Sequence, residues 1–227
     1  MIIAKSGVVV LVAALLGGCV SASTLGDVRM NPSVRHQVDL SGMMLSFETP
    51  SSALRPSRDF GPILLLENVD LTKLTSTELF FEGHWDGPNH QWLKTMGTLR
   101  IWLDVQPWSP EQLELQGCGA KAKAYIESHF ARSRRHFESG RWKTEPKLTL
   151  DDVRVAGQVA HRFSIDYDAP PKTTYIIPLN DRFFLELIFI SLRNSDPEEG
   201  WDELASREQQ RFVDSLQLTG ENLGCVM

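Results

Sequence analysis

The stretch RFFLELIFISL, residues 182–192, decides the fold class. It is apolar on nearly both faces of an extended chain. Alternate side chains of a strand point to opposite sides, so such a run belongs at the centre of a sheet that is covered on each side. The pair Asn180-Asp181 precedes it and supplies turn chemistry after TTYIIPL, residues 173–179, which makes the two segments a hairpin. Working outward, TLRIWLDVQ (98–106) alternates Leu99, Ile101, Leu103 and Val105 against Thr98, Arg100, Trp102 and Asp104. That is the period-two pattern of a half-buried strand with one aromatic on its polar face. QVAHRFSIDYD (158–168) places Val159, His161, Phe163, Ile165 and Tyr167 together, and the turn APPK follows it. MMLSFET (43–49) alternates in the same way, and GPILLLEN (61–68) reads as a short buried strand.

Two helices interrupt these strands. From about 120 to 137, Ala122, Ile126, Phe130 and Phe137 share one stripe, and Gly140 follows as a stop signal. From about 197 to 216 the stripe is Trp201, Leu204, Ala205, Phe212 and Leu216, with Asp196 as N-cap before Pro197. Hairpin-linked strands with segregated helices give an α+β class, an antiparallel sheet covered by two or more helices.

The chain opens on a different kind of pattern. Lys5 precedes the apolar run Gly7 to Leu16, which is about half of the roughly 20 residues that a membrane-spanning helix needs. Small residues then lead to Cys19, so the order is that of an export signal. The ending Leu16-Gly17-Gly18-Cys19 resembles the lipobox of bacterial lipoproteins. The resemblance implies cleavage before Cys19 and acylation of that cysteine. With Val20 rather than Asp in the second mature position, it also implies sorting to the outer membrane, facing the periplasm. Several acyl chains, each adding about 0.8 kcal/mol per buried CH₂, would anchor the protein stably. The expected organisation is a signal peptide over 1–18, an acylated tether over 19–37 and one globular domain over 38–227. The tether, VSASTLGDVRMNPSVRHQ after Cys19, is polar and aperiodic, with a random-coil reach of roughly 20–25 Å. Acylation leaves Cys118 and Cys225, and an oxidising compartment favours a disulfide between them; the alternative is two separate thiols.

The strand hairpin followed by a helix ending FVDSLQL (212–218), together with the opening GMMLSFETP (42–50), resembles the Mog1/PsbP-like fold of exported lipoproteins of the DcrB kind. That likeness implies a binding or accessory role rather than chemistry.

Residues that could carry chemistry are few. HWDGPNHQW (84–92) gathers His84, Trp85, His90 and Trp92 around turn residues. It reads as a hairpin whose tip could contact a partner; two histidines six apart with no third ligand do not make a metal site. His161 on an apolar face reads as a hydrogen-bonded core residue, and His129 and His136 as a solvated helix face. Asp151-Asp152 and Glu198-Glu199 read as acids beside turns or in a helix's first turn. No G-x-S-x-G, S-x-x-K, Cys–His setting or phosphate-cradling glycine loop is present. The expectation is therefore no enzyme and no cofactor.

Charge is more informative. The formal net charge is −6, and about −7 without residues 1–18, which argues against nucleic acid as a partner. Yet between Ala120 and Lys143 seven basic residues face two acids. Within that segment Arg132, Arg134 and Arg135 form the candidate surface for an anionic partner, such as lipid headgroups, cell-wall carboxylates or an acidic protein. The sequence thus points to a lipid-anchored envelope binding module with a protein or cell-wall partner. The alternatives are an immunity-type lipoprotein that neutralises a toxin in the periplasm and a small envelope hydrolase.

Overall fold

A computed structural model describes residues 33–50, 64–86, 97–167, 170–193, 200–221 and 223–224. Cys19, the segment 87–96 with His90 and Trp92, the pairs Asp196-Pro197 and Glu198-Glu199, and Cys225 lie outside the described residues. Among the described residues no helix is long and apolar enough to cross a membrane.

The chain begins with a hairpin of β1 (Ser33–Leu40) and β2 (Met43–Pro50), then two short strands, β3 (Leu64–Leu65) and β4 (Asn68–Val69). β5 (Glu78–Asp86) and β6 (Gly97–Pro107) form a second antiparallel hairpin, followed by the one-turn α1 (Pro110–Leu113) and the long α2 (Cys118–Glu138). A meander of β7 (Lys147–Val155), β8 (Gln158–Asp166), β9 (Lys172–Pro178) and β10 (Phe183–Arg193) leads to α3 (Trp201–Ser215) and β11 (Gln217–Thr219). These elements make two sheets. The large one runs β3-β5-β6-β10-β9-β8-β7 and is antiparallel throughout; the small one runs β11-β2-β1-β4. The class is α+β, mostly antiparallel sheet with three helices among the described residues.

As the doubly apolar pattern requires, β10 is central, paired with β6 from Phe183↔Pro107 to Arg193↔Gly97 without a register slip. Its residues Leu185, Leu187 and Phe189 enter a large core with Leu99, Leu103 and the small sheet's Leu45 and Phe47. The predicted stripe of α3 closes that core: Trp201, Leu204, Ala205, Phe212 and Leu216 are all buried. Phe212 packs against Phe47 at 5.4 Å and edge-on to Phe189 at 5.7 Å. Gly97 is fixed by this packing, because a Cβ there would lie 2.5 Å from both the Leu192 carbonyl oxygen and the Trp201 indole. The other face of β10 meets α2 in a small core of Trp108, Ala122, Ile126, Phe163, Ile176 and Phe184.

Several expectations need correction. The first strand starts at Ser33, five residues before the expected boundary at 38, because His36 is buried and bonded to Thr49 at 2.8 Å rather than solvated. Of the described residues in the run GPILLLEN, Leu64 and Leu65 form the two-residue β3 and Asn68 opens the two-residue β4, and Leu65 is exposed. Asp151 and Asp152 lie inside β7, a strand the sequence pattern did not single out. α3 starts at Trp201 with Gly200 as its N-cap at φ 100°, a conformation glycine adopts at no steric cost. On α2 the buried stripe is Cys118, Lys121, Ala122, Ile126 and Ser133, whereas Phe130 and Phe137 are only half-buried.

Candidate functional site: the outer flank of helix α2

The sequence of α2 favours a helix along its whole length: alanines at 120, 122, 124 and 131, no proline, and glycine only at position 119, near the start. The end is set by Gly140 at φ 73°, whose N–H donates to the Phe137 carbonyl at 2.8 Å while the Arg141 N–H donates to His136 at 2.9 Å. Its start is fastened to the turn before β10. The Lys121 ammonium donates to the Asp181 carbonyl at 2.9 Å and lies 3.5 Å from the Asp181 carboxylate. Lys121 is therefore buried, and the basic segment presents one exposed charge fewer than the sequence suggests.

Arg132, Arg134 and Arg135 all point to solvent. At about 100° per residue, Arg132 and Arg135 lie about 60° apart around the helix, and Arg134 stands about 100° further on. Arg134 is 3.6 Å from Glu138, an exposed pair one turn away. Arg132 and Arg135 have no ion pair among the described residues. Arg132 also overlooks the flank where α2 meets the sheet. There burial, helped by the charges of Arg132 and Lys172, holds the His129 imidazole down to about 4, so it is neutral and stacks near Tyr125 at 4.5 Å. His136 packs at 5.1 Å from Trp142, which in turn stacks on Tyr167 at 4.0 Å and 6°. Neither histidine belongs to the solvated face that the sequence suggests.

Beneath this flank lies a group the sequence reading missed. Glu186 of β10 sits directly opposite Asp104 of β6, and both are buried. Glu186 accepts from the Gln106 amide at 2.6 Å and the Tyr125 hydroxyl at 3.1 Å. Burial, and then the neighbouring Glu186, push the Asp104 carboxyl up to about 7; burial raises Glu186 as well. The Oδ1 of Asp104 and the Nε1 of Trp102 are buried without a hydrogen-bond partner among the described residues. Chemically the pair can hold a proton near neutral pH. The available signal was a single glutamate in the middle of the most apolar strand of the chain.

The remaining candidates fall elsewhere. His84 and Trp85 belong to β5 and are 6% exposed, so they form no part of an exposed tip; Trp85 stacks on Trp201 at 6.0 Å. The strands on either side of HWDGPNHQW do form the expected hairpin, with Asp86 opposite Thr98. His161 is a hydrogen-bonded interior residue, its Nδ1 2.6 Å from the Asp152 carboxylate. Cys118 opens α2, its sulfur 3.5 Å from the Asn180 carbonyl. The Gly224 N–H donates to the Leu179 carbonyl at 3.0 Å, which brings Gly224 to the same turn. No family model, curated protein or solved structure matches the chain.

Proposed function

We propose that the chain is a lipid-anchored protein of the bacterial cell envelope that works as a non-enzymatic binding module. Cys19 carries the acyl anchor in the outer membrane, and the folded body faces the periplasm. The outer flank of α2 docks on an anionic partner, either wall carboxylates or an acidic protein. One observation carries this reading: in a chain of net charge −6, Arg132 and Arg135 stand exposed on α2 without an ion pair among the described residues. Other guanidinium groups are satisfied locally, Arg100 by Glu82, Arg162 by Asp151 and Arg193 by Asp202. Unpaired exposed arginines cost little in the free protein and gain most when a partner supplies the carboxylates. The order of strands and helices further supports a Mog1/PsbP-like sandwich. The approach of Gly224 to the Asn180 turn beside Cys118 supports a Cys118–Cys225 disulfide.

Two measurements test the proposal. Cys19→Ser should leave an unacylated precursor outside the membrane fraction; unchanged fractionation and acyl labelling would remove the anchor. In the Cys19→Ser background, replacing Arg132, Arg134 and Arg135 by Gln should weaken association with peptidoglycan fragments or a co-purified acidic protein. It should also flatten the salt dependence, since screening acts over about 8 Å at physiological ionic strength. Unchanged affinity for both would move the working surface elsewhere.

A further inference from the structure

The outer strands of the large sheet and α3 enclose a cleft of about 230 Å³ on the side of the sheet away from α2. The sheet wall is built by register. Thr149 of β7 sits opposite Ser164 of β8, and Ser164 opposite Thr173 of β9, which makes a row of three hydroxyls across three strands. The next row inward is Asp151, Arg162 and Tyr175. The helix wall is Ser206, Gln209 and Gln210, residues three and four apart on one face of α3.

The charges in this cleft cancel internally. The Arg162 guanidinium donates to the Asp151 carboxylate at 2.7 Å and is shared by the Tyr175 hydroxyl, which burial keeps protonated. Among the lining residues an entering ion finds no uncompensated counter-charge; Asp214, outside the lining, accepts from the Gln210 amide at 2.8 Å. What is left over is neutral: the hydroxyls of Thr149, Ser164, Thr173 and Ser206 and the amide of Gln209 make no side-chain hydrogen bond to a described residue. Such groups on two opposed walls can donate and accept at once, which matches a ligand carrying hydroxyls on both its faces.

We propose that this cleft binds a neutral sugar residue. The volume lies below the roughly 300 Å³ at which drug-sized pockets begin, so one ring enters and any longer glycan continues outside. A ligand of one ring has few atoms with which to offset its loss of freedom, and the expected affinity is millimolar. The site is separate from the α2 flank and stands whether or not α2 docks on an anionic partner.

The test is a titration of the full-length chain with three neutral oligosaccharides (chitotriose, maltotriose and cellotriose) and, separately, with sodium phosphate and sodium acetate, read by NMR chemical shifts. At least one sugar should saturate in the millimolar range and shift the amides of β7 to β9 and α3. Thr173→Val and Gln209→Ala each remove one hydrogen-bonding group from an exposed or half-exposed position, so each should weaken that sugar about fivefold with the spectrum of the fold retained. Arg135→Gln, on the opposite side of the sheet, should leave it unchanged. Failure of all three sugars to saturate overturns the proposal. So does saturation by phosphate or acetate at these residues, and so does a sugar that binds both cleft variants as tightly as the original chain.

Discussion

The two faces of the large sheet solve the same burial problem in different ways. Toward the small sheet and α3, β10 presents Leu185, Leu187 and Phe189, which join the large apolar core. Toward α2 it presents Phe184, Glu186 and Ile188, and the neighbours include Asp104, Gln106, Tyr125 and His129. The first face holds the molecule together through area removed from water. The second carries ionisable groups at a cost in stability, and a helix with an exposed basic flank lies over it. The difference sets a core secured mainly by apolar area against one that holds two carboxyls face to face.

The largest effect should come from the apolar side. Phe212→Ala removes a ring that touches Phe47 and Phe189 and should cost about 3–5 kcal/mol in chemical denaturation, whereas Ile126→Val under α2 should cost about 0.5–1.5. Equal losses would erase the contrast between the faces. Next in size is the tail. If Cys118 pairs with Cys225, Cys118→Ser should cost about 2–4 kcal/mol, lower the melting temperature and leave one thiol titratable under denaturing, non-reducing conditions. Two reactive thiols in the unaltered protein would show instead that the tail is held by the Gly224 hydrogen bond and the packing of Leu223 on the core.

The buried carboxyl pair gives the α2 face a pH signature of its own. Asp104 is raised to about 7 in the folded protein, so the native state retains a proton that the unfolded chain releases at its ordinary carboxylate value. Between those two values stability should fall as pH rises, and above about 7 the full cost is present. Thermal melts at pH 5 and pH 8 should show the higher midpoint at pH 5. Asp104→Asn should raise the pH 8 midpoint and flatten the difference; a variant that keeps the original slope would place the titrating group elsewhere. The smallest effect belongs to the surface: Arg134→Gln loses only its pair with Glu138 and should change stability by less than about 0.5 kcal/mol.

The strands that build the large core were legible in the sequence because alternation or continuous apolarity leaves no other stable placement. β6 and β10 were readable for that reason, as was the inner stripe of α3. Three of the misreadings share a cause, which is that a polar residue can be buried when a partner waits for it in the fold. His36 is held by Thr49, Lys121 by Asp181 and Glu186 by Gln106 and Tyr125, and in each case the partner is distant in sequence. Of the candidate surface, the three arginines could be read because exposed charge needs no partner. The cleft at Thr149 and Ser206 could not, because neutral hydroxyls gathered by register leave no periodic trace.

The pairing of β11 with β2 ties residues 217–219 to 44–46, about 170 residues apart in the chain. During synthesis the β1–β2 hairpin is made first, and the strand that covers its outer edge follows about 170 residues later. For that interval the edge of β2 offers its free N–H and C=O groups to any other strand nearby, the circumstance in which nascent chains associate wrongly. A chain truncated after Leu216 would keep that vulnerability permanently. The three residues of β11 therefore act less as a support for the finished sheet than as the closure that ends its exposure.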